Sequence, residues 1–278
     1  MIFMVFRLCA LTVLASLGII ILYIVVEGMG VMSWDFLTQD PMPSPTGSMT
    51  RGGIFSPLIG TFYLLLLVLG FSIPVGILGA VFLTEYVGHL KWSRYLWVII
   101  HNLAGVPSIV YGLLGVALFV WYLGFGLSLL AAGLTLGIMV LPIIMVATRE
   151  ALDAVPRSLR EASVALGCTK WQTIRHHVLP YSASGILTGT ILSLSRAGGE
   201  TAPILVTGVA ANAALPSSVM EPFQALPYHI YIMVTQTSNI KESYPVAWGA
   251  ALVLVALVVF MNAFAVLLRN RYRKKYRW

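Results

Sequence analysis

Six long runs of apolar residues constrain the fold of this chain more than any other feature of its sequence. The runs cover residues 8–26, 57–83, 96–120, 125–146, 181–206 and 247–268. A helix rises about 1.5 Å per residue, so about 20 apolar residues cross the roughly 30 Å hydrocarbon core of a membrane. Water is absent from that core, and the runs lack the strict alternation of a membrane β-strand. Each run is therefore predicted to be a transmembrane helix.

The composition agrees with a protein whose main solvent is lipid. Of the 278 residues, 59% are hydrophobic and 10% are charged, against about 25% charged in an average soluble domain. The net charge of +7 comes from residues at the ends of the runs, not from one basic patch with interleaved aromatics, so no nucleic-acid partner is expected. We predict an all-α, polytopic membrane protein with six transmembrane helices, forming a single domain over residues 1–278.

Lysine and arginine residues divide unequally between the two sides of this topology. If the N-terminus is inside, 14 of them are cytoplasmic, two (Arg51 and Lys241) are external, and Arg196 lies within the fifth run. The positive-inside rule then predicts that both termini are cytoplasmic and that residues 27–56 and 207–245 form external loops. A cleaved signal peptide is the alternative for the first run, but that run is longer than usual and no clear cleavage site follows it.

The longest predicted internal loop, residues 147–180, has the pattern of two helices joined by a glycine. Apolar residues of the first helix share one face, at Val155, Leu159, Ala162 and Leu166. Gly167 suits the position just past a helix end, and Thr169 with Gln172 matches a capping box for the second helix. The apolar face of that second helix is predicted at Trp171, Ile174 and Val178. An amphipathic helix pair lying on the membrane surface is the simpler interpretation of this loop.

Part of this loop resembles the E-A-A-x3-G-x9-I-x-L-P signature of bacterial ABC importer permeases. The matching residues are Glu161, Ala162, Gly167, Leu179 and Pro180. Ser163 and His177 depart from the signature, where it has Ala and Ile. The resemblance implies a type I (MetI-like) permease fold with its core at residues 57–268. It also implies that the five matching residues couple the chain to a cytoplasmic ATPase.

The chain itself has no recognisable site for nucleotide chemistry. No G-x-x-x-x-G-K-[ST] motif occurs, and the nearest fragment, Gly167 to Lys170, lacks the upstream glycine spacing that cradles phosphates. No Ser-His-Asp arrangement or metal-ligand cluster occurs either, so no catalytic residue and no metal site is predicted. We expect a transport subunit that is not an enzyme and binds no cofactor, with ATP and Mg bound by the partner ATPase.

Two ionisable residues lie within the fifth run, where insertion into lipid disfavours them. Arg196 and Glu200 are four residues apart and can pair on one helix face. An arginine at the bilayer centre costs about 2.5–3.5 kcal/mol on insertion scales, so it is a candidate functional residue. We predict that both line the substrate path, with Arg196 contacting an anion, and that Gly198, Gly199 and Pro203 allow a helix break whose exposed N–H groups favour that anion. Mutual neutralisation at a buried helix contact is the structural alternative.

Four further segments are similar to one particular family within the ABC importer permeases. RAGGETAP at 196–203, GVPSIVYG at 105–112, LTEY at 83–86 and GGI at 52–54 are similar to the PstA family of phosphate permeases of the bacterial cytoplasmic (inner) membrane. The resemblance implies phosphate as substrate, membrane lipid as surroundings, and three kinds of protein partner: a PstC-type permease, two PstB-type ATPase subunits and a PstS-type binding protein. A permease for phosphonate, molybdate or sulfate is the alternative within this class. An ion-coupled secondary carrier is the alternative outside it, although such a carrier has no use for a coupling loop.

Overall fold

The computed structural model describes residues 2–42, 51–237 and 240–275, and most of these residues are helical. The helices are α1 (Ile2–Met29), α2 (Trp34–Thr38), α3 (Phe55–Val81), α4 (Lys91–Leu103), α5 (Ser108–Gly115), α6 (Leu129–Asp153), α7 (Arg157–Ala165), α8 (Lys170–Thr173), α9 (Leu179–Gly199), α10 (Ala202–Thr207), α11 (Leu226–Thr235) and α12 (Ile240–Lys275). Turns of π-helix extend α3 over Phe82–Tyr86 and α5 over Val116–Tyr122, and a third, Ile174–Val178, joins α8 to α9. Two short strands, β1 (Pro41–Met42) and β2 (Arg51–Gly52), pair antiparallel.

Five continuous helices are long and apolar enough to cross a membrane, one in each predicted span except the third, which is bent. In the fifth span, the helix ends at Gly199, before the predicted end at residue 206. The continuous ones are Phe3–Met29, Phe55–Tyr86, Leu129–Asp153, Lys170–Gly199 and Lys241–Arg273. The run at 96–120 was predicted as one helix, and this is wrong: Lys91–Leu103 and Ser108–Tyr122 meet at 104°. The residue before a proline avoids the helical conformation, which explains the break before Pro107.

The bent pair must nevertheless return the chain across the membrane, because α3 and α6 pack parallel to each other. Gly133 of α6 packs against Leu67 of α3, and further along both helices Gly76 packs against Ile144. Two consecutive long helices can run in the same direction only if the chain between them crosses back. The bent pair therefore counts as one crossing, and the topology still has six spans.

Helices α9 and α12 complete the bundle in alternating directions. Gly185 and Gly189 of α9 pack against Ala151 and Ala147, so α9 is antiparallel to α6. Gly198 packs against Val258 while Asn262 donates a hydrogen bond to the earlier Ser195, so α12 is antiparallel to α9. Small residues at these contacts let the helix backbones approach closely, as is usual inside membranes.

This alternation places most of the lysines and arginines at one end of the bundle, which we call the basic end. There α3 and α6 finish and α9 begins, and the residues gathered are Lys91, Arg94, Arg149, Arg157, Arg160, Lys170, Arg175, Arg269, Arg271 and Arg273. Lys241 lies at the opposite end, at the start of α12. Arg277 and residues 43–50 of the predicted loop 27–56 lie outside the described residues. The predicted loop 207–245 contains a helix, α11, that the sequence did not predict.

Candidate functional site

A break in the fifth span carries the two ionisable residues. Helix α9 ends at Gly199, and α10 begins at Ala202. Glu200 has extended backbone, which confirms the predicted interruption of the helix. The Arg196 Nε atom lies 3.5 Å from the Glu200 Oε1 atom. About a third of the Arg196 side chain and a fifth of the Glu200 side chain remain exposed, so the pair is accessible from a space beside the helix.

The break lies inside the membrane-crossing part of the bundle. A Cβ atom on Gly198 would meet Val258 of α12 and, at 3.9 Å, Leu65 of α3. Leu65 is ten residues into α3, a rise of about 15 Å from its first residue. Next to Arg196, the Ser195 hydroxyl accepts a 2.7 Å hydrogen bond from Asn262, which fixes α12 to α9 at this level.

The second half of the bent pair packs against the break. A Cβ atom on Gly112 would lie 3.0 Å from both the Cα of Pro203 and a methyl group of Val206, so the glycine allows the two helices to pack closely. Buried Tyr111 is within electrostatic reach of Arg196, and its hydroxyl donates a 2.8 Å hydrogen bond to the Leu103 carbonyl oxygen across the bend. The structure thus brings together GVPSIVYG and RAGGETAP, two segments that the sequence could identify only separately.

At the basic end, the loop 147–180 folds into the predicted helix, glycine and helix. Gly167 adopts φ +85°, which disfavours any residue with a Cβ atom. The capping box predicted at Thr169 and Gln172 is present in both directions. Behind the loop, an apolar cluster joins the ends of α3 and α6 to the π-helical turn between α8 and α9: Val81, Leu152, Val155, Ile174 and Val178.

The predicted apolar face of α7 is only half correct. Val155 is buried and Leu159 is partly buried, but Ala162 is exposed and Leu166 is 86% exposed. The buried face continues instead through Ser163, whose hydroxyl lies 3.0 Å from that of buried Thr173. On the second helix Ile174 and Val178 are buried as predicted, whereas Trp171 is exposed. The loop therefore presents apolar side chains outward, away from its own bundle.

The residues that match the importer signature fall into two groups. Glu161, Ala162 and Gly167 are exposed on the outer surface of the loop. Leu179 packs against the apolar cluster and Pro180 lies in the first turn of α9. The first group can meet a partner directly, whereas the second fixes the loop to the fifth span.

An ion pair that the sequence did not reveal ties α7 to two spans. One Arg160 nitrogen lies 2.8 Å from the Glu85 Oε1 atom at the end of α3. The same guanidinium donates to the carbonyl oxygens of Leu152 and Val155, at 2.8 and 2.6 Å, at the end of α6. Near it, the Lys170 ammonium lies 5.2 Å from the centre of the Tyr86 ring. Glu85 and Tyr86, which make these two contacts, both belong to the LTEY segment. The similarity of that segment to the PstA family was the sequence feature that indicated this region.

The chain is similar to membrane components of bacterial transport systems. Residues 72–274 match the family described as binding-protein-dependent transport system inner membrane component. The probable ABC transporter permease protein YqgI of Bacillus subtilis is 32% identical, with 97% of this chain and 94% of that protein covered. The phosphate transport system permease protein PstA 1 of Mycobacterium tuberculosis is 38% identical, over 78% of this chain and 70% of that protein. PstA of Xylella fastidiosa is 34% identical, over 88% of this chain and 84% of that protein.

Solved structures share the fold at lower identity. The inward-facing MetNI methionine ABC transporter has a TM-score of 0.56 and 19% identity, covering 81% of this chain and 95% of that chain. A bacterial ABC transporter involved in import of the polysaccharide alginate has a TM-score of 0.59 and 16% identity, covering 78% of each chain. At these identities the likeness concerns the arrangement of helices alone.

Proposed function

The chain belongs to the family of binding-protein-dependent transport system inner membrane components, the permease subunits of ABC importers, and from this premise we propose that it conducts inorganic phosphate. The family and the MetI-like fold agree with what the sequence predicts. Such permeases work with further permease and ATPase subunits. We propose that the partners here are a PstC-type permease, two PstB-type ATPases and a PstS-type binding protein.

One observation is the basis for proposing that the transported substrate is an anion. Arg196 is held beside Glu200 at a helix break within a span, where the guanidinium remains partly exposed. A planar guanidinium can donate two parallel hydrogen bonds to the oxygens of a tetrahedral anion, and the partner carboxylate limits how far the side chain can move. Relatives named as phosphate permeases, 32–38% identical to this chain, support phosphate among the tetrahedral anions.

The membrane orientation is part of the same proposal. We place the basic end in the cytoplasm, because lysine and arginine are retained on that side during insertion. The exposed surface of α7 then faces the ATPase through Glu161, Ala162 and Gly167. Movement of α7 reaches the spans through the Arg160 contacts with α3 and α6.

Uptake into vesicles that contain the purified complex tests this function. We expect phosphate to accumulate only when ATP and the binding protein are present, with a large excess of sulfate, molybdate or a phosphonate competing weakly. A complex that prefers one of those competitors would make the chain a permease for that oxyanion. Accumulation that follows an ion gradient without ATP would instead identify a secondary carrier.

A further inference from the structure

A polar cavity lies at the basic end, and neither Arg196 nor any residue of α7 is among its lining residues. It has a volume of about 620 Å³ and is lined by residues from the end of α3, the length of α4 and the end of α6. This volume is within the range of about 300–1,000 Å³ that is usual for small-ligand sites. The proposed transport mechanism makes no use of this cavity.

Two arginines dominate the charge of this cavity. Arg149 stacks over the ring of Trp97, with its guanidinium carbon 4.6 Å from the ring centre, and its Nε atom lies 3.5 Å from the Asp153 carboxylate. Arg94 is exposed and has no ion-pair or hydrogen-bond partner within the parts of the chain that the structure describes. The lining therefore carries two guanidinium groups against one carboxylate, which favours an anion.

The framework around the arginines is fixed by the fold. Trp97 is 5% exposed and packs in a cluster with Ala80 and Leu83 of α3. The buried Ser93 hydroxyl donates a 3.1 Å hydrogen bond to the Leu83 carbonyl oxygen. Helix α4 is thus fixed to α3 at two successive turns, and the position of Arg94 between them follows from that attachment.

The opposite face of α4 has the character of a helix in contact with lipid. Trp92, Tyr95 and Ile99 are 45–71% exposed. Aromatic and basic residues at the end of a span are typical of the headgroup level of a bilayer, and an apolar face beside them can lie against acyl chains. An anion held between Arg94 and Arg149 would therefore sit at headgroup depth, next to a surface suited to hydrocarbon.

We propose that this cavity binds the phosphate group of an anionic phospholipid, with Arg94 and Arg149 as its ligands and the exposed face of α4 contacting the acyl chains. Basic cavities between helices on the cytoplasmic side of a membrane suit such headgroups. The lipid fixes the angle between α4 and the neighbouring spans. The proposal depends on the assigned orientation only for the identity of the leaflet, and it does not depend on the transported substrate.

Native mass spectrometry of the purified full chain, delipidated and then titrated with phosphatidylglycerol, tests the proposal. An arginine near the surface contributes about fivefold to the affinity for an anionic lipid, so we expect Arg94→Gln with Arg149→Gln to weaken binding about 30-fold. The control, Arg271→Gln with Arg273→Gln, removes the same charge from the basic end outside the cavity and should change affinity little. An equal loss in the control would reduce the observation to general electrostatic attraction and overturn the site.

Two single variants keep the test decisive if the double variant does not fold. Arg94→Gln breaks no ion pair and should weaken phosphatidylglycerol binding about fivefold. Asp153→Asn removes the only carboxylate among the lining residues and should strengthen that binding by a similar factor. Unchanged affinity in both variants would refute the proposal, as would equal affinity for zwitterionic phosphatidylcholine. Displacement of the lipid by millimolar inorganic phosphate would reassign the cavity to the free anion.

Discussion

Arg196 and Glu200 are the residues at which a structural ion pair and an anion site must be distinguished. Their 3.5 Å separation is compatible with either role. Removing Arg196 alone leaves a partly buried carboxylate without its partner, so poor assembly of that variant says nothing about transport. Removing both charges avoids the difficulty.

We expect Arg196→Ala with Glu200→Ala to assemble normally and to lose phosphate uptake by about 10- to 100-fold. Hydrogen bonds to charged groups contribute about 1.5–3 kcal/mol, and each 1.4 kcal/mol is a factor of ten. Arg196→Lys keeps the charge but not the planar fork, so it should also transport poorly. Radiolabelled phosphate uptake by vesicles matched for assembled complex is the measurement. A double variant that transports at close to the normal rate would leave the pair with a packing role only.

His229 of α11 predicts an acid-sensitive stability. Its side chain is 4% exposed and its Nε2 atom has no hydrogen-bond partner among the described residues. Burial disfavours the charged ring and lowers the pKa of His229 to about 4, from 6.5 in the unfolded chain. Between these two pH values the unfolded state therefore binds a proton that the folded state does not. The free energy of unfolding is not reduced by this residue above pH 6.5, and it falls as the pH is lowered from 6.5 towards 4.

The loss should reach about 3 kcal/mol at pH 4, since each pKa unit corresponds to 1.36 kcal/mol. Thermal unfolding of the purified protein at several pH values between 7 and 4 measures it. His229→Gln removes the titrating group and should flatten the dependence, whereas His176→Gln, at an exposed position, should preserve it. An acid dependence that is unchanged in His229→Gln would show that other groups cause it.

The contact between α7 and the spans offers the clearest test of how movement of the loop reaches the membrane helices. Glu85 belongs to the π-helical end of α3, and Arg160 to the loop that faces the proposed ATPase. We expect Glu85→Ala to retain ATP hydrolysis but to lower phosphate transported per ATP about tenfold, because α3 no longer follows α7. The lost charge-assisted hydrogen bond contributes about 1.5–3 kcal/mol, and 1.4 kcal/mol is a factor of ten.

The control for that variant is Glu150→Ala, which removes an exposed carboxylate from the same end of the bundle. The ratio of transport to hydrolysis should stay at its normal value in this control. Equal ratios in the two variants would mean that the ion pair is dispensable for coupling. Glu85→Gln should be intermediate, since an amide oxygen still accepts from Arg160 without carrying a charge.

Gly167 allows backbone conformation to be separated from contact. Its φ of +85° suits glycine and, less well, asparagine, and a Cβ atom there would meet nothing within 4 Å. Gly167→Val should therefore destabilise the loop by about 1–2 kcal/mol and uncouple hydrolysis from uptake, whereas Gly167→Asn should retain most coupling. The measurement is the ratio of phosphate uptake to ATP hydrolysis in the same vesicles. If valine and asparagine behave alike, the left-handed backbone at this position has no role in coupling.

Features whose signals are local could be predicted from the sequence, whereas contacts between residues distant in the chain could not. The capping box at Thr169 and the glycine at 167 are local, and both were predicted correctly. The partners of Arg160 were not, because Glu85 is 75 residues away and only the parallel ends of α3 and α6 bring them together. The bend in the third span had a local signal in Gly105 and Pro107, but an unbroken apolar run concealed it.

We expect both chain ends to lie in the cytoplasm. A phosphatase reporter that works only outside the cytoplasm should be inactive when fused after Trp278. The same reporter inserted at Gly124 should be active, because this exposed residue connects the bent pair to the start of α6 at the opposite end. A reporter that is active after Trp278 and inactive at Gly124 would show that the topology is the reverse of the proposed one. Helix α7 would then lie on the side of the membrane opposite to a cytoplasmic ATPase.

The packing of α3 against α6 also has a consequence for biosynthesis, because the two helices are separated in the chain by the bent pair. Helix α3 leaves the ribosome and enters the membrane before its main partner has been translated. Leu67, which later fills the space beside Gly133, must meanwhile face lipid or the insertion machinery. Between the synthesis of Tyr86 and that of Leu129, the face of α3 that will pack against α6 has no partner, because α6 has not yet been synthesised. That interval is when we expect quality-control proteases of the membrane to compete with assembly.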